Sequence, residues 1–133
     1  MLKKVLVILG IVFFVIVIGF GILMYRLTNM AQTIESELNK VTGINLTKVA
    51  DGVYAGSFGD FVVFSSVEVV VKDHRIDKIV ITDQKCAQGY EAKDTVDRII
   101  QTQSPKVDAV TGASSSSRTI MIAVDRALRQ GIK

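Results

Sequence analysis

The chain has 133 residues, enough for one domain and an appendage, and its hydrophobic residues (49% of the chain) are unevenly distributed. The formal net charge of +3 does not indicate a nucleic-acid partner. Two of the 16 basic residues are Lys3 and Lys4, and the other 14 nearly balance the 13 acidic residues. The sequence also has no basic patch that is interleaved with aromatic residues. The single Cys excludes an internal disulfide and a paired-cysteine zinc site, and the single His leaves little material for a His-based triad or metal cluster.

The N-terminal part of the chain predicts a membrane anchor. Residues 5–25 contain no charged side chain, and these 21 residues, at about 1.5 Å each, span the roughly 30 Å hydrocarbon core of a bilayer. A cleavable signal peptide is the alternative, but its apolar core is usually about 7 to 15 residues long and ends at a small-residue site. This stretch is longer and ends in Leu23-Met24-Tyr25-Arg26. We therefore expect an uncleaved transmembrane anchor over residues 1–26.

The charges that flank the anchor predict its orientation. Lys3 and Lys4 precede the apolar stretch and Arg26 follows it, so the positive-inside rule favours a cytoplasmic N-terminus by two charges to one. The four residues before the anchor are too few to carry the function. We therefore expect a single-pass protein of the cell membrane whose C-terminal domain lies outside the cytoplasm.

Residues 27–50 predict an amphipathic stalk helix followed by a connector. Met30, Ile34, Leu38 and Val41 recur at helical spacing with polar residues between them, and Gly43 marks the stop. A partner-binding helix would show the same pattern. We favour a stalk that continues from the anchor and packs on the domain.

Residues 44–83 indicate antiparallel β-structure. They are rich in Val and Phe, and in the stretch from Phe61 to Lys72 apolar and polar residues alternate between two faces. Asp73-His74 is suited to a two-residue hairpin turn, with His74 as a solvated turn residue. The predicted strands cover residues 53–57, 61–72 and 75–82.

The rest of the chain predicts two helices on either side of a loop. The first helix covers residues 90–103 and is ended by Pro105; the second covers about 115–130 and ends at Gly131. A short strand over residues 107–110 is expected to lead into the loop. The order helix, sheet, helix, helix predicts an α+β domain over residues 51–133, with an antiparallel sheet and packed helices, preceded by one N-terminal transmembrane helix.

The loop before the last helix carries the strongest functional signal. Its sequence, DAVTGASSSSR over residues 108–118, places a Gly and four consecutive Ser at the start of an amphipathic helix. The first N–H groups of a helix lack internal partners and lie at the positive end of its dipole, which suits a phosphate. Gly112 permits a positive φ and a close approach by a ligand. An ordinary N-cap and turn would use the same residues, so the pattern alone leaves both interpretations open.

The loop resembles the motif of the FMN-binding domain family, which occurs in subunits of the sodium-pumping NADH:quinone reductase and the Rnf complex and in small membrane-anchored flavoproteins. The pattern D-x-x-[ST]-G-A-[ST]-x-[ST] is met from Asp108 to Ser116. Residues 51–56, DGVYAG, are similar to the family's DGxYxG, so the resemblance covers about residues 51–129. Two positions depart from the family: the usual acceptor Thr is Ser116 here, and a Gly that often follows Asp73 is His74.

The resemblance implies a covalently held flavin. In this family the last hydroxyl of the motif is joined to FMN by a phosphoester bond, which a separate flavin transferase makes with FAD as donor. Covalent FMN is therefore expected on Ser116. Asp108 is expected to hold the loop by accepting backbone N–H bonds or to help position a metal during the transfer, and Ser114 and Ser115 to cap amides. The other candidate cofactor-binding residues are Thr111, Gly112, Ala113, Ser117, Arg118 and Tyr54. Arg118 is suited equally to a place near the phosphate and to an exposed position on the helix, and Tyr54 either borders the flavin ring or is a core aromatic.

The functional class follows from what accompanies the motif. No general acid and base pair and no nicotinamide-binding fingerprint is visible, which favours an electron carrier with an unidentified redox donor and acceptor over a self-sufficient enzyme. Two alternatives stay open. One is a small flavin reductase with noncovalent FMN, and the other is a flavin-free anchored binding module of the same fold.

Overall fold

The computed structural model describes residues 1–133 and contains three α-helices, three β-strands and a short 3-10 helix over Leu46–Lys48. The chain divides into two compact units, Met1–Gln32 and Thr33–Lys133. The architecture is α+β, as the sequence predicts. The elements are α1 (Leu2–Lys40), β1 (Gly52–Gly59), β2 (Phe64–Lys72), β3 (Arg75–Lys85), α2 (Asp94–Thr102) and α3 (Ser114–Gln130).

The first unit consists of the apolar part of α1. Its most apolar 18-residue window has a mean hydropathy of 3.2, and none of that window is buried within the protein. By length and composition this helix can cross a membrane. The predicted stalk belongs to the same unbroken helix, which ends at Lys40.

The second unit begins with the last turns of α1 and is built around a three-stranded sheet. The strands lie in the order β1-β2-β3, and both pairs are antiparallel. Val67, Val69 and Val71 of β2 point into the core, as the alternating pattern predicts, while Glu68 is exposed on the opposite face.

The predicted hairpin turn between β2 and β3 is confirmed, and a distant carboxylate stabilises it. Asp73 and His74 both have positive φ (51° and 57°), the backbone that two-residue hairpin loops favour. The carboxylate of Asp51 accepts the N–H groups of Asp73 at 2.9 Å and of His74 at 3.1 Å. These backbone bonds, that of His74 foremost, hold the pKa of Asp51 below its usual value.

All three strands differ from their predicted boundaries, and β1 runs over Gly52–Gly59 instead of residues 53–57. β2 begins at Phe64 because the preceding residues form a tight connection, in which Asp60 N–H bonds to the Val63 carbonyl at 2.9 Å and the Asp60 carboxylate accepts the N–H of Val62 at 2.8 Å. β3 continues to Lys85, because that residue pairs with Phe64 at the first position of β2.

The predicted helices also change at their ends. α2 begins at Asp94 instead of Tyr90, since positive φ at Gly89 (86°) and Ala92 (54°) interrupts helical geometry just before it. The predicted strand over residues 107–110 is wrong. These residues have no neighbouring strand to pair with, and side chains of Arg98 and Ser117 bind their backbone groups instead.

Helix α3 lies directly across β1 and β2 and supplies more buried hydrophobic residues to the core than any other element. Its residues Ile120, Val124, Ala127 and Leu128 are fully buried, as their spacing predicts. The approach is closest at Gly56 of β1, where a Cβ atom would lie 2.7 Å from the backbone nitrogen of Ala127 and even closer to the carbonyl oxygen of Ala123. Since backbone atoms of a packed helix cannot move aside singly, only Gly fits at this crossing.

We expect Gly56→Ala to destabilise the domain by about 1–3 kcal/mol or more, because the added methyl group must push α3 away from the sheet. Thermal or urea unfolding followed by circular dichroism measures the loss. Gly43→Ala is the matched control, since Gly43 has a negative φ and nothing lies within 4 Å of its would-be Cβ atom. Equal stability of the two variants would show that α3 does not depend on this contact.

Candidate functional site

The motif found in the sequence forms the start of α3, and this start has no side-chain cap. Ala113 occupies the N-cap position, and its methyl group cannot accept a hydrogen bond. The first helical bond runs from Ser117 N–H to the Ala113 carbonyl at 2.9 Å. The backbone N–H groups of residues 114–116 are therefore without partners at the positive end of the helix dipole.

The backbone just before the helix is open to a ligand. Gly112 has a φ of 81°, and no atom lies within 4 Å of the position that a Cβ would take. A residue with a side chain would be strained here and would fill that space. The function inferred for Gly112 from the sequence, a close approach between backbone and ligand, is thus compatible with its geometry.

The four Ser residues of the motif fall into different environments. Ser117 is fully buried, and its hydroxyl accepts the N–H of Val110 at 2.9 Å and donates to the carbonyl of Ala113 at 2.9 Å. Ser116 is only 3% exposed, and its hydroxyl makes no hydrogen bond within the chain. Ser114 and Ser115 are exposed, and neither caps the helix, contrary to the expected role.

Two clefts flank the loop and share Tyr90, Gly112 and Ala113. The polar cleft, about 530 Å³, is lined by residues 89–94 and 110–113, which include Glu91, Lys93 and Asp94. The apolar cleft, about 210 Å³, is lined by Val63, Cys86, Ala87, Tyr90, Gly112, Ala113, Ser115 and Ser116. The loop and the first turn of α3 therefore stand at the boundary between the two clefts.

The sequence prediction places Tyr90 at the start of a helix and not at the functional site. It lies instead in the connection before α2, with 51% of its surface exposed. Its N–H bonds to the Ala87 carbonyl at 3.1 Å, and the carboxylate of Glu91 accepts the Gly89 N–H at 3.2 Å. Backbone N–H bonds, that of Glu91 itself foremost, lower the pKa of Glu91, so this carboxylate stays charged beside the polar cleft. The sequence signal that could have found Tyr90 is the Gly-Tyr pair in a loop after a strand.

Two other predicted site residues, Arg118 and Asp108, have different surroundings from those expected. Arg118 is in the first turns of α3, but its guanidinium pairs with the Glu35 carboxylate at 2.9 Å. The carboxylate of Asp108 is exposed and accepts no backbone N–H; its main-chain carbonyl accepts a bond from Arg98 instead. The structure therefore gives the Asp108 carboxylate no bond that holds the loop, and its other expected role, positioning a metal during the transfer, stays a prediction.

Tyr54 is not part of this site. Its hydroxyl donates to the Ala50 carbonyl at 2.7 Å, and its ring lies against Gly131, just past the end of α3. The 17 residues of α3 extend about 25 Å, so Tyr54 and Ser114 lie at opposite ends of that helix. The residues that the structure does bring together from the sequence prediction are Thr111, Gly112, Ala113, Ser114, Ser115, Ser116 and Ser117.

This arrangement has the features that a phosphate-bearing aromatic cofactor requires. Unpaired N–H groups and an open Gly suit the phosphate, hydroxyls without partners suit a covalent bond to it, and the apolar cleft suits a planar ring. FMN combines a phosphate with such a ring, so the residues present fit this cofactor.

Comparison with known proteins identifies the domain. The model of the family described as FMN-binding domain matches residues 64–129, which run from the start of β2 almost to the end of α3. The matched range includes all residues that line the two clefts except Val63, and the DGVYAG segment lies before the matched range. No curated protein and no solved structure matches the chain. Through residues 64–129 the chain therefore belongs to the FMN-binding domain family, and its cofactor is FMN.

Proposed function

We propose that this protein is a membrane-anchored flavoprotein that transfers electrons outside the cytoplasm and carries its FMN at the start of α3. One observation carries the proposal: within the matched domain, the uncapped helix start has unpaired N–H groups beside an open Gly. A phosphate at this position would complete the hydrogen bonding of the helix. FMN, when bound, supplies the reversible uptake of electrons, and the protein supplies attachment, orientation and shielding from water.

The helix start alone is too weak to retain the cofactor. A negative charge near the surface at a helix N-terminus gains about 0.3–1 kcal/mol, less than a tenfold preference. Outside the cytoplasm a dissociated flavin would be lost by dilution. A phosphoester bond removes the need for tight binding, and this favours a flavin transferase that uses FAD as the maturation partner.

We assign the phosphoester bond to Ser116, the acceptor position of the family pattern. Two features of the structure support it: Ser116 lines the apolar cleft in the first helical turn, and its hydroxyl has no partner in the chain. Ser117 is a poor acceptor by comparison. A phosphoester on Ser117 would disrupt its bonds to Val110 and Ala113 in a fully buried position.

The exposure of the hydroxyl groups favours Ser114 as an alternative attachment residue to Ser116. It is the first residue of α3, follows Ala113 directly, is exposed and makes no side-chain hydrogen bond. A transferase has to bring FAD to the acceptor oxygen. Ser116, at 3% exposure, is reached only through the apolar cleft, whereas Ser114 lies at the surface.

The apolar cleft is the better of the two clefts for the flavin ring. Apart from the two Ser side chains, its walls are formed by apolar groups, the Cys86 thiol and the Tyr90 ring, whereas the polar cleft presents two carboxylates. Carboxylates disfavour added negative charge nearby, so a reduced flavin would be better accommodated away from them. Tyr90 can cover one face of the ring, because its own backbone is held by the Ala87 carbonyl.

The long apolar part of α1 supports a membrane anchor. The apolar cleft is lined by no carboxylate, Lys or His side chain, which supports a carrier rather than an enzyme with its own substrate. The donor and the acceptor would be other redox proteins or membrane redox compounds. A flavin reductase with noncovalent FMN and a flavin-free module remain the competing functions, and the experiments below separate them.

Intact mass and peptide mass spectrometry after co-expression with a flavin transferase identify the modified residue. On the family assignment, Ser116→Ala loses covalent flavin, Ser116→Thr retains it, and Ser114→Ala and Ser117→Ala still carry it. Loss in Ser114→Ala with retention in Ser116→Ala would move the bond to Ser114. An unlabelled wild-type protein despite an active transferase would contradict covalent attachment, and flavin released on denaturation would then indicate noncovalent FMN.

The carrier function predicts reversible bleaching without substrate turnover. A chemical reductant or a membrane donor should bleach the visible absorbance of the labelled protein, and an oxidant should restore it, because FMN takes up and releases electrons reversibly. The sequence has no nicotinamide-binding fingerprint, so NADH alone is not expected to be an efficient donor. Stopped-flow absorbance measures both steps. Steady-state oxidation of NADH by the purified protein alone, at rates typical of enzymes (about 1 s⁻¹ or faster), would contradict the carrier function and favour the reductase.

The orientation predicts that protease added to intact cells or spheroplasts removes the domain from about residue 27 onward, because Lys3 and Lys4 retain the N-terminus in the cytoplasm. Immunoblotting of a C-terminal epitope measures the loss. A cytoplasmic marker protein serves as the control for lysis. Protection of the domain until the membrane is lysed would reverse the proposed orientation.

A further inference from the structure

The loop that presents the FMN site has almost no regular structure of its own, so its shape depends on side chains from the helices beside it. Residues 103–113 contain no strand and no helix, although they separate α2 from α3. Irregular backbone of this kind is ordered only where its polar groups find partners. Ser104 binds the backbone of Lys106 within the loop, and over residues 108–113 two side chains from the helices supply partners, Arg98 from α2 and Ser117 from α3.

Arg98 holds the first part of the loop. Its Nη1 donates to the carbonyl of Asp108 at 2.8 Å and to the carbonyl of Ala109 at 3.2 Å. Hydrogen bonds from a charged donor are stronger than those between neutral groups. The two bonds also partly neutralise the negative charge on the carbonyl oxygens of Asp108 and Ala109, which would otherwise disfavour an anion bound at this loop.

Ser117 holds the second part of the loop. Its hydroxyl bonds to Val110 N–H and to the Ala113 carbonyl, and Ala113 N–H in turn bonds to the Val110 carbonyl at 3.0 Å. Residues 110 and 113 are thus connected to each other and to the first turn of α3. Gly112 lies inside this closed set of bonds, where its positive φ is needed.

We propose that Arg98, together with Ser117, is a positioning residue of the flavin site: the pair hold residues 108–113 in the shape that leaves the three N–H groups at the start of α3 free for the cofactor phosphate. The inference rests on the proposed function for its ligand. Arg98 contacts neither cleft, so it acts through the loop backbone. The loop is therefore preformed, and the ligand does not have to order it on binding.

The test uses the full-length protein in detergent with Arg98→Met, which keeps a long side chain but removes the donors, and Arg98→Lys, which keeps a charge and a donor. Arg75→Met is the matched control, because the Arg75 side chain is exposed and makes no hydrogen bond or ion pair. Hydrogen exchange at Val110 and Ala113 reports loop order, and the rate of covalent labelling by the transferase with FAD reports positioning. Thermal unfolding reports overall stability.

Arg98→Met should slow labelling about tenfold or more, the factor that corresponds to about 1.4 kcal/mol. It should also speed exchange in the loop while leaving exchange in β2 unchanged, and Arg98→Lys should recover part of both effects. Arg75→Met should match wild type. The proposal would be overturned if Arg98→Met showed wild-type labelling and wild-type loop exchange. Val71→Ala, a core variant distant in sequence from the loop, is the second comparison. If it slowed labelling as much as Arg98→Met at an equal loss of thermal stability, the proposal would also be overturned.

Failure of the proposed function gives a different result. If the wild-type protein accepts no FMN, covalent or noncovalent, the flavin site is wrong. Loop exchange in Arg98→Met still decides whether Arg98 orders residues 108–113: unchanged exchange overturns the positioning function, and faster exchange confined to the loop supports it.

Discussion

The structure depends on the direct contact between α3 and the sheet at Gly56. Because this residue has no side chain, the backbone of α3 at Ala123 and Ala127 comes against β1 itself. That contact sets the height and direction of the helix over the sheet. Its apolar face then fills the core, with Ile120, Val124 and Leu128 fully buried. The first turn of the same helix is the proposed flavin site, so on that proposal the packing of the core also determines where the cofactor phosphate lies.

The first turn of α3 is fixed to the sheet by buried hydroxyls as well. Ser65 of β2 and Thr119 share a hydrogen bond of 2.8 Å, and Thr119 donates to the carbonyl of Ser116 at 2.8 Å. All three residues lie in the core, where a lost partner costs about 1–3 kcal/mol. Together with the bonds of Ser117, they give the helix start a defined position although its own N–H groups are free. An uncapped helix end is tolerated here because the turns behind it are tightly packed.

Several residues that carry the family resemblance or were predicted at the site make structural contacts. In the DGVYAG segment, Asp51 stabilises the hairpin turn at residues 73 and 74, and Tyr54 packs on Gly131. Gly56 leaves the space in which the backbone of α3 packs against β1. The segment therefore secures the end of the domain that lies away from the FMN loop. Arg118 likewise connects α3 to the last turns of α1 through Glu35, and Arg126 does the same through Glu37 at 3.0 Å.

The sequence by itself determined the local features. The apolar helix, the alternating strands, the Asp73-His74 turn and the buried face of α3 all follow from periodicity and turn chemistry, which act between near neighbours. It also determined the family and the FMN loop, because the motif is contiguous. Only the tertiary structure decided the apolar cleft with Tyr90, the bonds from Arg98 to the loop backbone, the different surroundings of the four Ser residues and the position of Tyr54 at the far end of α3. These features depend on which elements are in contact in the folded chain. Close contacts such as that of Gly56 with α3 determine those neighbours, and the spacing of residues along the chain does not reveal such contacts.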